Sequence, residues 1–79
     1  MSAESTTRRT SDLIEVIVNG STRSLAKGST VVDLIESLGM NPAMIVVEHN
    51  LEILERGGYD AVVLSAGDRV ELVHFVGGG

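Results

Sequence analysis

Apolar and polar residues alternate in the first segment that has a regular pattern, and two residues typical of a tight turn follow it. The apolar residues that share one strand face in this run are Ile14, Val16 and Val18, and Asn19-Gly20 follows directly. Asn-Gly between two extended runs favours a type I′ turn, because both central residues of that turn need positive φ. The sequence therefore predicts an opening hairpin whose second strand covers residues 21–26.

A helical pattern replaces the alternation in the next segment. Its apolar residues recur at helical spacing, at Val31, Leu34, Ile35 and Leu38. Thr30 stands at the N-cap position with Asp33 three residues later, and Gly39 stands where a C-terminal cap is expected. This pattern predicts one short amphipathic helix. It also assigns Asp33 to the helix cap and Glu36 to a solvated face, in preference to an acid/base pair.

Three later segments predict strands. One strand is expected after Pro42, a brief one lies within "LEILERGGY" at residues 51–59 and is closed by Gly57-Gly58, and a turn at residues 66–68 leads into the last strand. The predicted order is two strands, one helix, one strand, one short strand and a final strand.

The last strand is apolar on both faces. One face has Val70, Leu72, His74 and Val76, and the other has Glu71, Val73 and Phe75. Since one helix covers only one face of a sheet, this composition indicates a central strand, an apolar binding patch on the open face, or both. Which face is buried stays open. A central last strand is most easily reached by parallel pairing with the first strand, which is the β-grasp arrangement.

The predicted fold class is therefore α+β, a ubiquitin-like β-grasp with a mixed sheet of four to five strands and one main helix on one face. The first twelve residues are rich in Ser, Thr and charge, so we expect a disordered leader at 1–12, a β-grasp domain at 13–76 and a flexible glycine tail at 77–79. The chain has 79 residues, which suits a single domain. No apolar run reaches the roughly 18 residues of a membrane span, and we expect a cytoplasmic protein.

The cysteine, charge and histidine content of the chain excludes several classes of function. The chain has no cysteine, so it offers neither a disulfide framework nor a thiol nucleophile. The net charge is −5, and the acidic surplus lies in residues 13–79, which makes nucleic acid an unsuitable partner and allows a basic protein partner. His49 and His74 lie on different predicted strands without a third clustered ligand, so we expect no metal site, and we expect the chain not to be an enzyme.

The three glycines after the last strand have a physical interpretation. Residues 77–79 would reach about 10 Å beyond the domain if extended, and without side chains they fit a narrow slot. The group that such a tail presents is the α-carboxylate of Gly79. A carboxylate resists nucleophilic attack, but an ATP-dependent partner can convert it to an acyl adenylate whose AMP leaves readily.

Four segments together resemble the ThiS family, the ubiquitin-like sulfur carriers of thiamine biosynthesis. They are the "VNG" of the first hairpin, "GSTVVDLIESLGM", "VVEHNLEIL" and the final "GDRVELVHFVGGG". The resemblance covers residues 13–79. It implies that a ubiquitin-activating-type adenylyltransferase adenylates Gly79, that a cysteine desulfurase supplies sulfur for a thiocarboxylate, and that thiazole synthase takes the sulfur. It also makes Gly78 the obligatory neighbour and Gly77 an addition to the minimal two-glycine ending.

Related functions stay open, because they use the same terminus. They include a β-grasp carrier that delivers sulfur to molybdopterin or another metabolite, and a modifier conjugated to lysines. In every case we expect a monomer that needs no cofactor of its own and binds protein partners, not nucleic acid or membrane. The predicted docking surface is the helix-free sheet face, with Phe75 from the last strand and Leu13 and Ile17 from the first strand. Val76, which follows Phe75, is a further predicted partner-binding residue.

Overall fold

The computed structural model describes residues 12–75. The strands and the helix, numbered in chain order, are β1 (Leu13–Val18), β2 (Ser21–Ala26), α1 (Val31–Ser37), β3 (Ile45–His49), β4 (Glu52–Ile53) and β5 (Arg69–His74). Two 3₁₀ helices lie at Pro42–Met44 and Arg56–Ala61. The predicted leader, except for Asp12, and the predicted glycine tail lie outside the described residues. None of the helices within residues 12–75 is long and apolar enough to cross a membrane.

The strands form one five-stranded mixed sheet in the order β2-β1-β5-β3-β4. The two strands that pair in parallel are β1 and β5, where Ile17 lies opposite Arg69 and Val18 opposite Val70. The remaining neighbours pair antiparallel. The prediction of a β-grasp with a central last strand is therefore confirmed.

The opening hairpin has the predicted turn. Asn19 has φ 49° and Gly20 has φ 85°, the positive values that a type I′ turn requires. The ladder runs without a bulge from the Val18–Ser21 pair next to the turn to the Leu13–Ala26 pair at the far end. Asp12, just before β1, accepts a hydrogen bond from the Lys27 N–H at 2.7 Å.

The helix begins with the capping box that the sequence predicts. The Thr30 hydroxyl accepts a bond from the Asp33 N–H at 3.1 Å, and the Asp33 carboxylate accepts one from the Thr30 N–H at 2.9 Å. Gly39 follows the helix with φ 76°, and its N–H donates to the Glu36 carbonyl at 3.0 Å. Hydrogen bonds between neighbouring residues therefore cap both ends of α1. Glu36 is exposed, as expected.

The core lies between α1 and one sheet face. The side chains that are fully buried are Val16, Val31, Leu34, Ile35, Ile45, Val47 and Val70. In β5, Val70 and Leu72 face the helix and are buried, whereas Val73 on the opposite face is 59% exposed. The structure thus decides which face of the last strand is buried, a point that the apolar composition of both faces leaves open.

The segment from Pro42 to the start of β5 differs in detail from the sequence prediction. The third strand begins at Ile45, three residues after Pro42, because a 3₁₀ turn comes first. The short strand β4 has two residues, and Gly57-Gly58 lie inside a 3₁₀ helix instead of closing the strand. The physical reason is Tyr59, which is 3% exposed and donates its hydroxyl to the Ile45 carbonyl at 2.8 Å. Turning the chain to bury Tyr59 ends β4 early.

Candidate functional site

The described chain ends at the root of the predicted tail. Val76, Gly77, Gly78 and Gly79 lie outside the described residues, so their predicted roles as tail and carrier site stay predictions. The tail root, residues 72–75, is described, and its contacts fix the position of the residues that directly precede the predicted tail.

One side of this root is held by β3. Ile45 lies opposite His74, and the Phe75 N–H donates to the Met44 carbonyl at 3.1 Å, which continues the ladder beyond the end of β5. Because backbone groups alternate along a strand, the N–H and C=O of Phe75 and Val73 point towards β3, and those of His74 and Leu72 point away from it.

The other side of the root is held by a side chain instead of a strand. The Asn19 N–H donates to the Val70 carbonyl at 2.9 Å, after which β1 turns away. The Asn19 amide then bonds both backbone groups of Leu72, accepting from the N–H at 2.8 Å and donating to the C=O at 3.2 Å. Asn19 therefore acts as one further ladder position and couples the first hairpin to the root.

Phe75 lies on the open sheet face and is half-buried. The guanidinium of Arg56 lies 5.0 Å from the centroid of its ring, within cation–π distance. This contact partly covers the aromatic ring of the last residue that the structure describes.

The predicted docking residues of β1 share this face but lie far from Phe75. Leu13 is 52% exposed and Ile17 is half-buried. Ile17 lies opposite Arg69 in the sheet. Arg69 precedes Phe75 by six residues, a separation of about 20 Å along β5. Leu13 is four residues further away. The structure therefore does not bring Leu13 and Ile17 together with Phe75 in one compact patch.

Other apolar side chains lie closer to Phe75 on the open face. Val46 is opposite Val73 in the sheet, and both are exposed, to 37% and 59%. Ile53 of β4 is 74% exposed, on the same face. We call Val46, Ile53, Val73 and Phe75 the open-face patch. The alternation in "IVVEH" could have identified Val46, since it separates this residue from buried Ile45 and Val47.

Two carboxylates cross this face beside the patch. Glu48 and Glu71 lie opposite each other in the β3–β5 pair, and Ile53 is the neighbour of Glu48 on β4. Together with Val46 and Val73, these residues line a shallow depression. The open face thus combines apolar area with negative charge.

A polar cluster lies at the opposite end of β5. The His49 ring Nε2 is 2.8 Å from an Asp68 carboxylate oxygen, and Asn50 donates its amide to the other oxygen at 3.2 Å. Burial acts to raise the pKa of Asp68, but hydrogen bonds from His49, the Ser65 N–H and Asn50 outweigh it and hold the pKa below its ordinary value. These bonds tie the β3–β4 turn to the start of β5, and the sequence alone did not reveal them.

Neither histidine belongs to a metal-binding group in the part of the chain that is described. His74 is exposed on β5, at the end of the strand away from His49. Residues 12–75 contain no group of three or more side chains placed to hold a metal ion.

Comparison with known proteins identifies the family. The model of the ThiS family matches residues 16–79, which include the whole helix, β3 to β5 and the final glycines. The chain belongs to the ThiS family. It is 42% identical over 50 residues to the sulfur carrier protein ThiS of Bacillus subtilis, a match that covers 63% of this chain and 76% of the relative.

Longer relatives and a solved ThiS structure agree with this membership. The chain is 39% identical over 66 residues to a thiazole synthase of Magnetococcus marinus, covering 84% of this chain and 20% of that protein. It therefore spans about a fifth of the length of the thiazole synthases it matches. The crystal structure of ThiS from Geobacter metallireducens superposes with a TM-score of 0.71 at 35% identity, covering 84% of this chain and 100% of the other.

Proposed function

We propose that this chain is a sulfur carrier protein for the synthesis of the thiamine thiazole ring, with the α-carboxylate of Gly79 as the carrier site. The observation that carries the proposal is the ThiS family match, because it joins the β-grasp domain to the final glycines in one alignment over residues 16–79. The similarity to a Bacillus subtilis protein named as a sulfur carrier supports the same function.

The proposed chemistry takes place at the terminal carboxylate. A carboxylate oxygen of Gly79 attacks the α-phosphorus of ATP and pyrophosphate leaves, which gives an acyl adenylate. The terminal sulfur of a desulfurase persulfide then attacks the carbonyl carbon and AMP leaves, which gives an acyl disulfide. A second thiol reduces its S–S bond and leaves the thiocarboxylate on Gly79. In this scheme a ubiquitin-activating-type adenylyltransferase performs the activation and a cysteine desulfurase provides the sulfur. The chain itself acts as a cosubstrate that carries a group, not as a catalyst.

Gly77 and Gly78 have a steric role in this scheme. Without a Cβ they allow the tail to enter a narrow channel and bring Gly79 close to ATP. ATP-dependent activation and desulfurase chemistry also suit a cytoplasmic location, which we include in the proposal.

Thiazole synthase is the proposed acceptor of the sulfur. Two proteins of that name, from Magnetococcus marinus and Paramagnetospirillum magneticum, contain a segment similar to this chain within a much longer polypeptide. A carrier domain and its acceptor enzyme in one polypeptide raise the effective concentration of each for the other. We infer that the present chain makes the equivalent contact with such an enzyme.

We propose that the open-face patch docks on the enzymes that handle the tail, with Phe75 as the anchor beside Val76. The patch lies next to the tail root, and Glu48 and Glu71 give it a negative charge that suits a basic partner surface. Ile17 would contact a partner only if its footprint extended about 20 Å along the sheet, and Leu13 only if it extended about 33 Å.

Replacement of Phe75 tests this docking surface. Phe75→Ser should weaken binding to the adenylyltransferase by about tenfold, since the aromatic anchor of the patch is lost. Leu51→Ser is the matched control, because Leu51 is 81% exposed at the β3–β4 turn, remote from the tail root. Equal affinities of the two variants, measured by calorimetric titration, would contradict a docking role for Phe75.

Intact-mass analysis tests the carrier function itself. The protein is coexpressed with its adenylyltransferase and desulfurase, and we expect one terminal oxygen to be replaced by sulfur, localised to Gly79 by fragmentation. A chain with one alanine appended after Gly79 serves as the control and should stay unmodified, because its carboxylate is displaced by about 3.5 Å. A stable isopeptide to a lysine would indicate a protein modifier instead, and the absence of any change at Gly79 would refute the proposal.

A further inference from the structure

The β1 side of the tail root has an unfilled strand position. The backbone N–H and C=O of His74 point away from β3, as those of Val70 and Leu72 do, but β1 has already turned away at Asn19. The Asn19 side chain makes hydrogen bonds to both backbone groups of Leu72. Within residues 12–75, no hydrogen bond to the N–H or C=O of His74 is present. An extended segment placed where β1 would continue past Asn19 could bond both groups.

A groove lies directly beside this position, on the helix side of the sheet. Its apolar lining comes from Val18, Leu38, Met40 and Leu72, so it is bounded by the end of β1, the end of α1 and β5. Met40 is 37% exposed, and its N–H donates to the Ile35 carbonyl at 3.2 Å, which fixes its backbone after the helix. The groove can therefore accept an apolar side chain without rearrangement of the backbone around it.

The groove also carries a cation. Arg23 of β2 lies opposite Val16 in the hairpin, so its side chain is on the helix side, and it lines the groove together with Ser21 and Asn19. Arg23 is one of four basic residues in an otherwise acidic stretch from residue 13 to residue 79. Its guanidinium would pair with a carboxylate of whatever occupies the groove.

We propose that an extended segment of the tail-activating adenylyltransferase adds to the free edge of β5 at His74, places an apolar side chain in this groove and presents an acidic residue to Arg23. Strand addition obtains affinity from main-chain bonds and specificity from pockets for alternate side chains, and the root offers both. The choice of partner rests on the proposed function, because the groove is lined by Leu72 and so lies beside the residues that directly precede the predicted tail. This surface is distinct from the open-face patch, which lies on the other side of the sheet.

A pair of variants at one position tests the main-chain bond. His74→Pro removes the N–H that faces the free edge, whereas His74→Ala removes the imidazole and keeps the N–H. The proline leaves the β3 ladder intact, because the His74 N–H does not bond β3. With the adenylyltransferase as the probe, His74→Pro should bind about tenfold more weakly than His74→Ala. Equal affinities would overturn the proposal.

The charge contact has its own matched pair. Arg23→Glu should weaken binding by about tenfold relative to Lys27→Glu, which makes the same charge change at an exposed residue after β2, at the far end of the sheet. Equal effects of the two changes would show that only net charge matters, and would remove Arg23 from the contact.

Amide hydrogen exchange on the unmodified protein covers the case in which His74→Pro is unstable. The His74 N–H should exchange at least about fivefold more slowly in the complex than in the free protein. No added protection would overturn the proposal. If the His74 N–H is protected in the free protein and truncation after Val76 removes that protection, the chain's own tail occupies the free edge of β5. If the protection depends on protein concentration, a second copy of the chain occupies that edge.

Sulfur loading separates this inference from the proposed function. If the unmodified protein is never loaded at Gly79, the carrier function fails. If it is loaded and the paired variants bind alike, only the strand-addition proposal fails.

Discussion

Replacement of Asn19 should destabilise the whole domain, although the residue lies in an exposed turn. Its amide makes two bonds with Leu72, 53 positions away in the chain, at 2.8 and 3.2 Å. A lost bond costs about 1 kcal/mol, and a partly buried N–H left without a partner costs about 1–3 kcal/mol. The φ of 49° adds about 1–2 kcal/mol when a side chain that tolerates this conformation poorly is introduced.

Three substitutions separate these contributions. Asn19→Gly removes the bonds without a φ penalty, so we expect a loss of about 1–3 kcal/mol in the free energy of unfolding. Asn19→Ala adds the positive-φ penalty and should cost about 1–2 kcal/mol more. Asn19→Asp keeps the acceptor for the Leu72 N–H but turns an oxygen towards the Leu72 carbonyl, and should therefore fall between wild type and Asn19→Ala.

Urea unfolding followed by circular dichroism measures these differences. In a domain of this size each kcal/mol corresponds to about 4–8 °C in Tm, so thermal scans give a second estimate. The m-value should stay constant, since the surface exposed on unfolding does not change. If Asn19→Gly were as stable as the wild type, the bonds to Leu72 would contribute nothing and Asn19 would be a turn residue only.

Three further predictions concern other parts of the molecule. The pKa of Asp68 lies below its ordinary value of 3.8, so its ionised form stabilises the fold above that pH, and this stabilisation is lost as the pH falls through the folded pKa. In urea unfolding at several pH values, the difference in stability between the wild type and Asp68→Asn should therefore shrink in acid. A difference that stays constant with pH would contradict this. Tyr59→Phe should cost about 1–2 kcal/mol in urea unfolding, because the buried Ile45 carbonyl loses its 2.8 Å partner, and an unchanged midpoint would argue against that bond. Gly78→Ala should slow pyrophosphate release by about tenfold without affecting stability, which corresponds to about 1.4 kcal/mol of transition-state stabilisation. His49→Gln, in contrast, should be loaded with sulfur normally. A folded His49→Gln protein that cannot be loaded would indicate a missed side-chain site.

The elements encoded in contiguous residues could be predicted from the sequence. Asn19-Gly20 has the φ values of its turn, and the capping box between Thr30 and Asp33 is formed as expected. These features depend on residues at most a few positions apart, so local propensity is sufficient to specify them. The order of elements and the apolar last strand were also enough to indicate the β-grasp, which the five-stranded sheet confirms.

Other features depend on residues that are distant in the chain. The length of β4 follows from the burial of Tyr59 against Ile45, and the bonds of Asp68 to His49 and Asn50 require the β3–β5 register. Neither interaction leaves a local signal, because each partner taken alone resembles an ordinary loop or surface residue.

The location of the apolar surface was likewise decided by the tertiary structure. Alternation assigned Leu13, Ile17 and Phe75 to one face, but it carries no information on how far two strands are shifted relative to each other. The parallel register, with Ile17 opposite Arg69, separates Phe75 from β1 and leaves Val46 and Val73 as its exposed neighbours. That register is determined by which side chains pack beneath α1, a property of the assembled core and not of any one segment.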